Sequence, residues 1–519
     1  MTLSAATDSD LARALERFAG ELGQDAVAGD PQALQAFRDP FPLGDPDEFR
    51  AAGILSPSSV EEVRTIVRLA NELGVALWPV SRGRNNAYGG PSPRKRGSFI
   101  VELSRMDRVL EVDEDSALAV VEPGVRFFDL YDHLRAHGHR LWVSVADLGW
   151  GSVLGNGLDR GMGYTAYGDH AAMQCGLEVV LPDGDLVRTG MGAMSHGAAW
   201  HLYAPGFGPA VDGLFRQSNL GIVTRGGVWL MPTPEVFTCV DVVVSGFDDL
   251  EPLVDALRPL KLDGTIEGSA AIREPMLATS KLDARSRFYD GAGPAPEEAV
   301  QEMMRAHGLG RWTLSFAVYG SEARVAADLQ AIRRAFARVP GAEVLERTYA
   351  GSVGADDVAL ADRTRAGIPG MYSETLPDWR ASSPGSGRHV CFSPVLPLSG
   401  RLAIELATRL REIVEGAGFD YIGTYHVGKR HLSHVVEIIW DGTEDVQTAA
   451  ARGVFGELLA AAAELGYGEY RTHIAFMDQV AAQFDFNDHA LLRLQRKLKD
   501  AMDPNGILAP GKSGIWSGR

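Results

Sequence analysis

Cysteine is scarce: Cys175, Cys239 and Cys391 are the only three in 519 residues. They form no CxxC pattern and are too few for a disulfide framework or a zinc site, so buried free thiols are expected. Positive charge is also short, with 50 Lys and Arg against 68 Asp and Glu, a formal net charge of -18. Such a surface repels nucleic acid and anionic lipid, and neither is expected as a partner. No uncharged apolar run approaches membrane-spanning length. The opening MTLSAATDSDLARALERF has neither the basic nor the apolar stretch of a leader, so a cytoplasmic protein is expected. What is present is ordinary for a globular chain, 45% hydrophobic and 23% charged, and it leaves ample material for a buried site. At this length two domains are expected.

Residues 58 to 73 read as an amphipathic helix. Ser58 and Glu61 suit a capping box, Val60, Val63, Val67 and Ala70 share a face, and Gly74 supplies the stop. A strand from Val75 to Val80 then runs into SRGRNNAYGG, with further strands at Phe99 to Leu103 and Ala117 to Val121. This glycine-rich loop joins strand to strand, whereas a Rossmann fingerprint needs a helix directly after its glycines. A nicotinamide site of that type is therefore disfavoured.

From Asp147 to Gly168, seven glycines (Gly149, Gly151, Gly155, Gly157, Gly161, Gly163 and Gly168) fall in 22 residues, where average usage gives one or two. Backbone approaching a ligand and a run of tight turns account for this equally well. Beyond about residue 237 strands and helices alternate in longer blocks: VDVVVSG, a helix from Phe247, SFAVYGS, a helix through Phe336, RHVCFSP, and a helix from about Arg401. Strands around Tyr421 to Val427 and His434 to Trp440 precede a helix from about Thr443 to Leu465. The pattern predicts an α+β domain, an antiparallel sheet with helices on one face. The tail DPNGILAPGKSGIW returns to the texture of the first half. The expected division is 1–236, a cap at 237–472, and a return of 473–519 to the first domain.

Seven motifs occur together and in order: PVSRGRNNAYGG (79–90), DLGWGSVLGNGLDRGMGYTAYGDH (147–170), LEVVLPDGDLVRTGMGA (177–193), DGLFRQSNLGIVT (212–224), HVCFSP (389–394), GYGEYRTH (466–473) and DPNGILAPGKSGIW (503–516). On these the chain resembles the vanillyl-alcohol oxidase family of FAD enzymes, and most closely its bacterial eugenol oxidase and 4-alkylphenol oxidase members. The resemblance implies a two-domain fold of the vanillyl-alcohol oxidase / p-cresol methylhydroxylase type, with an antiparallel-sheet cap over the flavin.

The resemblance also assigns roles. Ser81, Arg82, Gly83, Arg84, Asn85 and Asn86 would cradle the FAD pyrophosphate through successive backbone N–H groups; alone, the loop would read as a solvated hairpin. Gly89, Leu148, Gly149, Gly151, Ser152, Gly155, Asn156, Gly161, Tyr164 and Gly168, together with Gly221, Ile222 and Val223, would run along the cofactor. His389, otherwise an ordinary core histidine, matches the position bonded to the flavin 8α carbon. That bond requires a neutral imidazole and a ring able to hold transient negative charge, for which Arg471 and Lys512 are candidates. Some relatives carry a second, activating histidine; its apparent position here is Arg50. Tyr88, Tyr470 and Arg471 match a phenolate-binding set, and Tyr167 another active-site tyrosine. Asp147 matches a carboxylate near the reacting carbon and flavin N5. It follows Ala146, where close relatives have proline. Tyr425 and His426 are candidates for lining the pocket around the para substituent.

The implied activity is oxidation of 4-alkylphenols or of eugenol- or vanillyl-alcohol-type substrates through a p-quinone methide, with O2 as acceptor, in a homodimer or higher homo-oligomer without metal. Alternatives are a dehydrogenase delivering electrons to a cytochrome, an FAD oxidase of sugars or hydroxy acids, and a flavin-binding protein without turnover. The tyrosine-tethered cresol dehydrogenase branch would not have the histidine of HVCFSP.

Overall fold

The computed structural model describes residues 7–518; the first six residues of the segment read for a leader lie outside them. Three larger sheets organise the described residues, beside a two-stranded pair of Leu141–Trp142 and Met231–Pro232. The first orders its strands Val27–Ala28, Gly53–Leu55, Phe99–Glu102 and Leu77–Val80, with the last three parallel. The second is antiparallel: Val109–Asp113, Leu118–Val121, Ile222–Trp229, Gln174–Val180 and Leu186–Arg188. The third, an eight-stranded antiparallel sheet, runs Glu343–Ala350, Val236–Val244, Trp312–Gly320, Ala270–Arg273, Ile422–Val427, His431–Asp441 and Gly387–Phe392, with Val395–Pro397 paired to His431–Asp441. The α+β reading agrees with this architecture.

Alternation along the third sheet decides what faces what, because successive strand side chains point to opposite faces. Val436, Ile438 and Trp440, with Val390 and Phe392 on the neighbouring strand, pack against Leu253 and Leu257, Val325 and Leu329, Leu406 and Leu410, and Val454 and Leu458 of the helices Leu250–Leu262, Glu322–Phe336, Gly400–Gly416 and Asp445–Glu464. The opposite parity, His389, Cys391, Val435 and Glu437, is left for the site.

The predicted early helix is Val60–Leu73, ended by Gly74 in the left-handed region at φ 65°. Its N-cap is Ser59, one residue later than expected. Ser59 accepts the N–H of Glu62, whose carboxylate takes the N–H of Ser58. Either serine suits a cap chemically; burial of Val63, Ile66, Val67 and Ala70 sets the helix register. The predicted strands fall within a few residues of their expected ends. All three cysteines are free and buried. No helix among the described residues is long and apolar enough to cross a membrane.

The tail is joined to the first sheet. Leu77 N–H donates to the Ile507 carbonyl at 2.8 Å, Ala509 N–H donates to the Leu77 carbonyl at 2.7 Å, and Ile507 and Leu508 complete that sheet's apolar core.

Candidate active site

Where the free face of the third sheet meets the loops of the first half lies a cavity of about 1020 Å³. The loop Ser81 to Asn86 forms one wall; Gly83 turns it at φ 62°, a conformation that favours glycine. Leu148, Gly151, Ser152, Gly155, Asn156, Gly161, Tyr164, Gly221, Ile222, Val223 and Lys512 also line the cavity, as do Tyr88, Asp147, His389, His426, Tyr470 and Arg471. Asp159, not anticipated, ties two walls together: it accepts from Asn85 Nδ2 at 2.8 Å and from Lys512 Nζ at 3.3 Å.

Tyr88, Tyr470 and Arg471 form one cluster. The guanidinium lies 4.2 Å from the Tyr88 ring centroid and 5.7 Å from that of Tyr470, and it donates to Tyr88 Oη at 3.1 Å. Burial works against its charge, but the two tyrosines and Asp159 hold its pKa above the ordinary value. Burial raises the Tyr88 and Tyr470 hydroxyls, outweighing the opposing pull of Arg471, so both stay protonated and able to donate. The result is a fixed cation with two O–H donors, a site shaped for an anionic oxygen.

Asp147 accepts from Tyr164 Oη at 3.0 Å and Ser373 Oγ at 3.2 Å, with Lys281 Nζ at 3.9 Å. Burial alone would raise its pKa, yet Lys281 and Arg273, the Tyr164 hydrogen bond and His426 bring it below the ordinary carboxylate value. It is an ionised, half-buried carboxylate in the cavity wall. His426 beside it is pushed down to about 4 by burial and Arg273.

His389 is pushed down to about 4 by burial and is therefore neutral. Its ring packs on Phe41 with centroids 5.0 Å apart. Nδ1 is buried with no hydrogen-bond partner, and Nε2 lies 3.7 Å from Glu437 Oε2. Glu437, raised by burial to about 7, accepts from Cys391 Sγ at 3.0 Å.

Several expected residues lie off the cavity wall. Tyr425 faces the helices, donating to the Ala403 carbonyl at 2.7 Å and stacking on His434 at 3.9 Å; of the two, strand parity gives the cavity to His426. Tyr167 does not reach the wall either. Gly89, Gly149 and Gly168 are required by protein packing instead. A Cβ would sit 2.7 Å from the Ile474 side chain at Gly89 and 2.7 Å from the Phe128 ring at Gly149, and would run into Ser269 at Gly168. Arg50 is outside the wall, its carbonyl accepting from Gly97 N–H. Arg273, Lys281, Ser373, Glu437 and Asp159 were not expected. A carboxylate inside the apolar run VVEIIW was the one available signal, for Glu437.

Residues 51–190 match the FAD binding domain family, and residues 384–513 match the C-terminal domain of FAD linked oxidases. The chain is 32% identical over 511 residues to the 4-cresol dehydrogenase [hydroxylating] flavoprotein subunit of Pseudomonas putida, covering 98% of this chain and 96% of the relative. The solved structure of 4-ethylphenol oxidase from Gulosibacter chungangensis in its isoeugenol complex superposes with a TM-score of 0.94 at 36% identity, over 100% of both chains. That of p-cresol methylhydroxylase with substrate bound gives 0.92 at 32%, over 99% of this chain and 98% of that one. The chain belongs to the vanillyl-alcohol oxidase / p-cresol methylhydroxylase family. As a member of that family it is an FAD-linked oxidoreductase. The cavity suits FAD on its own evidence. It is large enough for a dinucleotide-sized cofactor, its loop at 81–86 carries Arg82 and Arg84, and a neutral histidine with an orphaned buried nitrogen stands in its wall.

Proposed function

We propose that this family member oxidises para-substituted phenols such as 4-alkylphenols, with FAD held covalently by His389 and dioxygen as acceptor. Residues 1–236 with 473–519 would hold the cofactor and 237–472 cap it. The observation that carries the reading is the Arg471–Tyr88 contact beside Tyr470, in the same cavity as the ionised Asp147. The relatives named above as acting on 4-cresol and 4-ethylphenol support it.

Arg471 stabilises the substrate's phenolate, and the Tyr88 and Tyr470 hydroxyls donate to it. Phenolate oxygen pushes electron density toward the para carbon and so weakens its benzylic C–H bond. Bound FAD supplies the hydride acceptor. Asp147, held by Tyr164 and Ser373, stabilises the electron-poor benzylic carbon of the resulting quinone methide and takes a proton from an attacking water. Water addition gives a benzylic alcohol, and loss of a further proton gives an alkenylphenol. An alcohol substrate gives the aldehyde or ketone.

The test is anaerobic. 4-Ethylphenol should bleach the flavin absorbance, while 4-ethylanisole, which cannot ionise, should not; equal bleaching by the ether rules out a phenolate site. A second measurement checks the tether: after acid denaturation flavin fluorescence should stay with the wild-type band on a gel and be absent from His389→Ala. Flavin that washes out of fully loaded wild type rules out attachment at His389.

A further inference from the structure

We propose that Glu437 accepts the imidazole proton of His389 when that ring couples to FAD. The proposal rests on the reading that His389 is the attachment point. Geometry singles out the carboxylate. The Cys391 sulfur, a His389 nitrogen and a Glu437 oxygen lie within 4.8 Å of one another, with Glu437 Oε2 3.7 Å from His389 Nε2. Of the groups against the imidazole, Phe41 has no basic atom, and burial holds the Cys391 thiol protonated, well above its ordinary pKa. Cys391 is therefore a donor, and its S–H fixes the carboxylate at 3.0 Å. Glu437 is the basic group in reach.

Its position is costly without a task. Val436 and Ile438 on either side enter the helix-packed core, and an ionisable group in such a strand is disfavoured unless it is paired. Alternation turns Glu437 into the cavity, one strand across from Cys391 in register. Burial raises it to about 7, against the opposing influence of the Cys391 hydrogen bond, Lys281 and Arg471 and with that of Asp147. A base with its pKa near the working pH both takes and releases a proton readily.

The coupling balances as follows. A bond forms between an imidazole nitrogen and the carbon of the flavin 8-methyl group, and that carbon loses one hydrogen as a proton. The imidazole N–H proton passes to Glu437. The electron pair enters the isoalloxazine, which dioxygen reoxidises with formation of hydrogen peroxide.

Apoprotein from riboflavin-starved cells, mixed with FAD and quenched in acid over time, gives the coupling rate from in-gel flavin fluorescence. Quenching of protein fluorescence reports FAD uptake separately. Wild-type coupling should speed up as pH rises through about 7, where Glu437, facing His389, Cys391, Lys281, Asp147 and Arg471, ionises. Glu437→Gln should take up FAD yet couple roughly 100-fold more slowly at pH 8, without that rise. Coupling of Glu437→Gln within about twofold of wild type overturns the role of Glu437. Wild type that never couples overturns the His389 attachment itself, a distinct result. Should Glu437→Gln fail to take up FAD, Glu437→Asp decides: slowed coupling that still rises with pH supports the proposal, and pH-independent coupling overturns it.

Discussion

At Asp147, neighbours outweigh desolvation: Lys281, Arg273 and the Tyr164 hydroxyl keep a half-buried carboxylate charged. Removing that charge should affect the transition state more than the bound phenol. Asp147→Asn should slow anaerobic flavin reduction far more than it raises the dissociation constant of 4-ethylphenol, as stopped-flow would show; an unchanged reduction rate would make Asp147 a turn former. Tyr88→Phe removes one charge-assisted donor, about 1.5–3 kcal/mol, and should lower kcat/KM roughly ten- to hundredfold. Glu437 offers a stability test. Its pKa is about 7 when folded against an ordinary 4.5, so the folded state favours the protonated form. The cost of ionising it is absent below pH 4.5, grows as pH rises to 7 and is complete above. In apoprotein, Glu437→Gln should therefore unfold at higher temperature than wild type at pH 8, by up to roughly 3 kcal/mol, with the gap closing near pH 5.

Within elements, what the sequence reveals depends on distance along the chain. Tyr470 and Arg471 are adjacent in GYGEYRTH, and Asp147 opens the glycine-dense run, so each is marked by its own segment. Lys281, Arg273 and Ser373 come from three other segments and meet Asp147 only after folding, which leaves no local trace. Tyr425 and His426 could not be separated until strand register fixed which parity faces the helices. The glycine run also divides once packing is known. At Gly155 a Cβ would run into Ser81 Oγ, whereas at Gly151 the nearest atom is Leu148 O at 3.4 Å. Gly155→Ala should displace the loop at 81–86 and weaken FAD retention, and Gly151→Ala should retain it, as the flavin-to-protein absorbance ratio after gel filtration would show. Equal retention would mean that Ser81 can move at little cost.

Across the whole molecule, the charge of -18 disfavours docking of an acidic electron carrier by like-charge repulsion. If dioxygen is the acceptor, hydrogen peroxide should form mole for mole with 4-ethylphenol consumed, with no added acceptor. Turnover that requires a dye or cytochrome would identify a dehydrogenase. The seam between Leu77 and Ile507, together with the Lys512–Asp159 pair joining residues 353 positions apart, also bears on biosynthesis. While the ribosome is still translating the cap, the first sheet lacks the apolar segment that completes its core and the cavity lacks one wall. Residues near 510 must leave the exit tunnel before either can close, so a nascent chain stalled within residues 237–472 should emerge without flavin.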